Sequence, residues 1–141
     1  MNGPILAPLC LPGLRLHRVA AQSVNLTGSY GYVATFAYAG GSSLPAAVVG
    51  LITFDGAGNV TGSQTFVQPD PSPSATTAQA QASSFNGTYS VNADGSGALA
   101  LQFGNGRSTP VEFVITDAGS GLMFVQTGGG NTLLTGAARK Q

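Results

Sequence analysis

Charge is what this chain has least of. Five basic and five acidic residues make up 7% of its 141 positions, against about a quarter in an ordinary soluble domain. They cancel to a formal net charge of zero. Arg15 and Arg18 stand near the N-terminus and Arg139 and Lys140 at the C-terminus, so Arg107 is nearly the only base in between. A nucleic-acid surface needs clustered Lys and Arg to displace counterions from phosphates, and no such cluster exists. The same shortage excludes a basic patch for an anionic membrane. One cysteine, Cys10, rules out an intrachain disulfide. One histidine, His17, lies in the N-terminal segment, so no Ser-His-Asp or Cys-His arrangement can be assembled within residues 26–138. Ligands for a zinc site are missing as well, and no metal or cofactor is expected. Uninterrupted apolar runs stay below the ~18 residues of a membrane-spanning helix, so no membrane span is expected. No segment sustains a helical apolar period either.

What remains is a chain 43% hydrophobic whose surface must be built from Ser, Thr, Asn, Gln and Gly. A surface of that kind has little charge repulsion to keep copies apart, and a homo-oligomer is the expected consequence. Residues 1–23 differ from the rest. An apolar, proline-bearing stretch is followed by Arg15, His17 and Arg18 and then by Val19-Ala20-Ala21-Gln22, which resembles a small-residue cleavage site. In a signal peptide the bases precede the apolar stretch, so the segment is expected to be either a truncated signal or an extension. Secretion or a periplasmic location follows as an expectation.

From Leu26 onwards the chain alternates apolar and small polar residues between glycine-bearing turns: Asp55-Gly56-Ala57-Gly58, Asp94-Gly95-Ser96-Gly97 and Asp117-Ala118-Gly119-Ser120-Gly121. That pattern predicts strands joined by tight hairpins. Eight are expected, at residues 26–39, 46–54, 59–68, 85–92, 98–103, 109–116, 122–127 and 132–138. The Pro/Ser/Thr/Ala/Gln-rich stretch at residues 69–84 predicts an exposed loop, with a short helix over 78–84 as an option. The fold expected is all-β: one domain, residues 24–141, forming an eight-stranded antiparallel meander closed into a barrel. A two-sheet sandwich is the alternative. Closure is favoured because an open sheet with so few edge charges would template aggregation. Leu26-Thr27-Gly28-Ser29-Tyr30 and Phe85-Asn86-Gly87-Thr88-Tyr89 form a partial repeat, alike in vocabulary and not in strict register, on either side of the Pro/Ser loop within that one domain.

The acids are few enough to weigh singly. Asp55, Asp94 and Asp117 open turns, where an Asp side chain accepts backbone N–H bonds, and the turn accounts for them better than catalysis does. Calcium at the Asp55 turn would find too few oxygens. Asp70 belongs to the loop. Glu112 alternates with Val111 and Phe113 in mid-strand. Facing inward it would be a buried acid needing a partner, with Arg107 the nearest base; facing outward it would be an ordinary solvated residue, the more frequent case. Tyr30, Tyr32, Phe36 and Tyr38 form a same-phase aromatic row, which either fills the interior or lines a ligand cavity. With Glu112 they are the candidate ligand-binding residues; no catalytic or metal-ligating residue is expected.

The phrases Leu26-Thr27-Gly28-Ser29-Tyr30, Phe54-Asp55-Gly56-Ala57-Gly58-Asn59-Val60-Thr61-Gly62 and Gly87-Thr88-Tyr89-Ser90-Val91-Asn92-Ala93-Asp94-Gly95-Ser96-Gly97 are similar to a style of secreted acidobacterial β-protein resembling small lipocalin-like or allene-oxide-cyclase-like barrels. The resemblance covers most of residues 26–138, and its motifs are turns, so it implies a fold. The plant cyclases' catalytic residues have no counterparts here. Three functions are therefore in view. A secreted, non-enzymatic barrel that binds a small apolar ligand or a partner surface leads. A self-assembling extracellular protein, using strand edges or residues 1–23 as an added strand, is the alternative. A cavity-based isomerase or cyclase, with Glu112 or a tyrosine as acid/base, rests on fold analogy alone.

Overall fold

The computed structural model describes residues 25–38, 46–69, 77–130 and 132–141. Eight strands run in chain order: β1 Thr27–Tyr38, β2 Ala46–Asp55, β3 Asn59–Pro69, β4 Ala78–Val91, β5 Ser96–Phe103, β6 Ser108–Thr116, β7 Gly121–Gln126 and β8 Thr132–Lys140. Each is antiparallel to its neighbour, and β8 pairs back onto β1 from Tyr30↔Lys140 to Tyr38↔Thr132. The sheet is a closed barrel in meander order, as expected, and not a sandwich. Closure leaves no strand at a sheet edge along the common length of the wall.

One expectation is corrected. Residues 78–84 are neither loop nor helix but the first half of β4, paired with β3 from Pro69↔Ala78 to Ser63↔Ser84. Small polar side chains do not announce a strand, yet the β3 backbone offers these residues a ladder, and the ladder decides. Pairing between β4 and β5 begins only at Phe85↔Phe103, so the β3–β4 ribbon stands above β5, while β3 stays paired with β2 up to Val67. The extension at residues 1–23 and most of the Pro/Ser run lie outside the described residues.

The barrel has two unlike ends. One carries the Asp-Gly turns, and it is plugged. Tyr30, Phe54, Leu26 and Val60 are the largest fully buried side chains, and they meet there. Phe54 sits edge-on between Tyr30 and Tyr89, with ring centroids 5.4 and 4.9 Å away. The tyrosines of the partial repeat thus converge on one phenylalanine. Their hydroxyls tie down the base: Tyr89 donates to the Leu26 carbonyl at 2.7 Å, and Tyr30 donates to the Gly119 carbonyl in the β6–β7 turn. Burial and the neighbouring Tyr89 raise the pKa of Tyr30, so it remains a donor throughout the physiological range.

The Asp55 and Asp94 turns are built as the sequence predicts. Asp55 Oδ1 accepts from the backbone N–H of Ala57 and Asn59 at 2.7 and 2.9 Å, and Oδ2 accepts from Asn59 Nδ2 at 2.8 Å. Asp94 Oδ1 accepts from the backbone N–H and hydroxyl of Ser96 at 2.9 and 2.6 Å. Asp117 works differently. It and Ala118 adopt left-handed backbone with φ of 52° and 55°, and its carbonyl, not its carboxylate, accepts from the Ser120 hydroxyl at 2.7 Å.

Candidate functional site

Above the plug the barrel is hollow. A cavity of about 630 Å³ runs from mid-height to the opposite end and opens between the β5–β6 turn and the β3–β4 ribbon. That volume lies within the range of small-molecule sites, roughly 300–1,000 Å³. Its floor and wall are apolar: Val48 and Ile52 from β2, Phe85 from β4, Leu99 and Leu101 from β5, Val111 and Phe113 from β6, Leu122 and Phe124 from β7. Each arrives by the period of two, which sends alternate residues of every strand inward. A solid interior would have counted against a ligand, and the interior is not solid.

Four inward aromatics reach this wall by lying over glycine. Tyr32, Phe85, Phe113 and Phe124 stand directly across from Gly50, Gly62, Gly97 and Gly136. A Cβ at Gly62 would come within 2.3 Å of the Phe85 ring and 2.5 Å of the Leu51 carbonyl oxygen. A large residue beside an absent one lets the rings lie along the wall instead of filling the centre.

Polar groups collect towards the mouth. The Tyr32 hydroxyl donates to Gln64 Oε1 at 2.8 Å, and burial raises its pKa, so Tyr32 is held as a proton donor. Gln126, buried at the top of β7, donates to the Gly128 carbonyl at 2.6 Å and to the Thr132 hydroxyl at 3.1 Å. Ser83 faces inward from the β4 extension; its hydroxyl is buried and has no hydrogen-bond partner. Arg107, in the turn between β5 and β6, stands at the rim and is exposed. Among the described residues, no cluster of three or more His, Cys, Asp or Glu side chains comes together to hold a metal ion.

The candidate residues are divided by this arrangement. Tyr32 and Phe36 line the cavity, and Phe36 packs on Phe66 near the mouth with ring centroids 6.3 Å apart. Tyr30 shares their phase but belongs to the plug. Tyr38 shares the strand, and its side chain lies outside the described residues. Glu112 takes the solvated alternative of its two readings. It faces outward from β6 and is exposed, because Val111 and Phe113 on either side of it take the inward phase. Gln64, Ser83 and Gln126 were not singled out from sequence. Gln64 was within reach, since it shares a phase with Val60 and Phe66; Ser83 was hidden in what looked like a loop.

The geometry can be set beside known proteins. No family model, curated protein or solved structure matches the chain. What stands of the sequence resemblance is the architecture, a small closed barrel of eight antiparallel strands.

Proposed function

We propose that this barrel is a secreted or periplasmic carrier that holds one elongated apolar molecule with a polar end, its apolar part against the wall and its polar end at the mouth. The observation that carries this reading is a deep apolar cavity with its polar groups gathered at one end. Leu99, Leu101, Val111 and Phe113 offer a desolvated seat for hydrocarbon, worth about 25 cal/mol for each Å² of apolar surface buried. Arg107 favours a polar end that is anionic. Glu112 points away from the cavity, so the acid/base role considered for it in an isomerase has no access to a molecule held inside.

A dansyl-labelled fatty acid, whose emission rises on leaving water, tests the reading. It is expected to bind one molecule per barrel and to be displaced by dodecanoate and by dodecanol. Leu101→Trp, which fills the cavity from its wall, is expected to weaken binding at least tenfold while leaving the far-ultraviolet circular dichroism spectrum unchanged. Arg107→Gln is expected to weaken dodecanoate but not dodecanol. Absence of any binding by the wild-type chain would overturn the proposal.

A further inference from the structure

Few charged side chains stand on the strands' outer surface, and two of them bracket an apolar row. Val49, Val33, Ala137, Met123 and Val114 are in cross-strand register over β2, β1, β8, β7 and β6. Met123 is 63% exposed, Val49 61%, Val33 60% and Val114 53%. Met123 and Val114, at the β6–β7 end of this row, give that face an exposed apolar centre. Glu112 and Arg139 also face outward here. Asp55 closes β2 at its turn, Asp94, Asp117 and Arg107 lie between strands, and Lys140 lies with its ammonium 6.0 Å from the Tyr30 ring centroid.

The two charges are placed in a related way about Met123. Arg139 lies one strand over, on β8, level with Gly121, two residues towards the plugged end. Glu112 lies one strand over on the other side, on β6, level with Val125, two residues towards the mouth. From strand spacing and rise, each is about 8 Å from Met123 in the plane of the sheet. The offsets are equal and opposite. A two-fold axis in the plane of contact, through Met123 and perpendicular to the Glu112–Arg139 line, therefore carries each Arg139 onto the Glu112 of a second copy.

We infer that the β6–β7–β8 face is a self-complementary contact with a second copy of this chain, with Met123 against Met123 at the axis and two Glu112–Arg139 ion pairs flanking it. A two-fold contact needs one patch that matches itself, and one acid with one base placed symmetrically about an apolar centre does so. The barrel wall curves away from the axis, and the gap opens where two of the longest side chains on this face stand. Nothing in the overall charge opposes the approach, since the chain is neutral. A bilayer would need an apolar band around the whole barrel, whereas β3 to β5 present Thr61, Ser63, Asn86, Thr88 and Gln102 on the same outer surface. Three or four strands of a convex wall cover less than the ~800 Å² per partner of a standard interface, so a weak, reversible dimer is expected.

Sedimentation velocity of the full chain over a hundredfold concentration range tests this. The wild type is expected to pass from monomer to dimer. Glu112→Arg and Arg139→Glu are each expected to weaken the dimer at least tenfold, and the two together to restore it, which no merely structural role for either side chain would produce. In a Cys10→Ser background, Met123→Cys is expected to form a disulfide-linked dimer under mild oxidation, because the axis brings that residue onto itself. A monomer at every concentration, a dimer indifferent to the single reversals, or failure of the double reversal to restore it would each overturn the inference. So would binding to neutral phosphatidylcholine vesicles without dimerisation, which would assign the row to lipid.

Discussion

At Asp55 three hydrogen bonds converge on one carboxylate from within the same turn. The bond from the Asn59 side chain, then those from the Asn59 and Ala57 backbone, hold its pKa below the usual carboxylate value. Asp94 is lowered in the same way by Ser96. A depressed pKa means that the folded state binds the proton less readily than the unfolded one. The stabilisation is therefore present above the ordinary carboxylate range and is lost as pH falls. Asp55→Ala is expected to lower the thermal midpoint at neutral pH, and the difference from wild type is expected to shrink towards zero below about pH 3. Melting curves at both pH values check this; a difference that does not change with pH would mean that the carboxylate is not the source. These aspartates were legible in the sequence because an Asp-Gly turn is a local object, made by residues within five positions of one another.

Strands were nearly as legible, and the exceptions share a cause. The eight expected strands are all present, most within a few residues of their expected bounds, but β4 starts at Ala78 instead of Phe85. Residues 78–84 carry no apolar alternation, and only the facing residues of β3 make them a strand. That half of β4 has no β5 partner, so its amides are expected to exchange with solvent faster than those of residues 85–91, as hydrogen exchange would show. The glycine–aromatic pairs belong to this scale as well. Gly62→Ala would drive a methyl group into both the Phe85 ring and the Leu51 carbonyl, and backbone cannot yield as a flexible side-chain tip can. A loss of about 2 kcal/mol or more is expected in denaturant unfolding. A neutral result would show that Phe85 can leave the wall. Gly62 and Phe85 are 23 positions apart in the chain, and nothing around either announces the other.

Over the whole molecule, the plugged end and the hollow end divide the work. Tyr30, Phe54, Leu26 and Val60 supply a packed base, and the cavity stands above them. If that space takes a ligand which the unfolded chain does not bind, stability must rise with ligand concentration, by about 2.7 kcal/mol at a hundredfold excess over Kd. The thermal midpoint is therefore expected to climb with added dodecanoate in the wild type and to climb much less in Leu101→Trp. A midpoint indifferent to ligand would separate the cavity from any carrier role.

Most strand positions, the chemistry of the Asp55 and Asp94 turns and the barrel architecture were determined by the amino-acid sequence, because each depends on period-two alternation and on contacts between near neighbours. Which face of a strand lies inside was not. Val48 and Ile52 alternate with Val49 and Leu51, and both sets are apolar, so either could have formed the core; closure buries the first pair and leaves the second exposed. The same closure sent Glu112 outward, kept Tyr32 and Phe36 at the cavity while placing Tyr30 in the plug, and set Glu112 and Arg139 at equal offsets from Met123. Those outcomes rest on register between strands distant in the chain. Register is a property of the paired backbone around the whole barrel, and no stretch of sequence contains it.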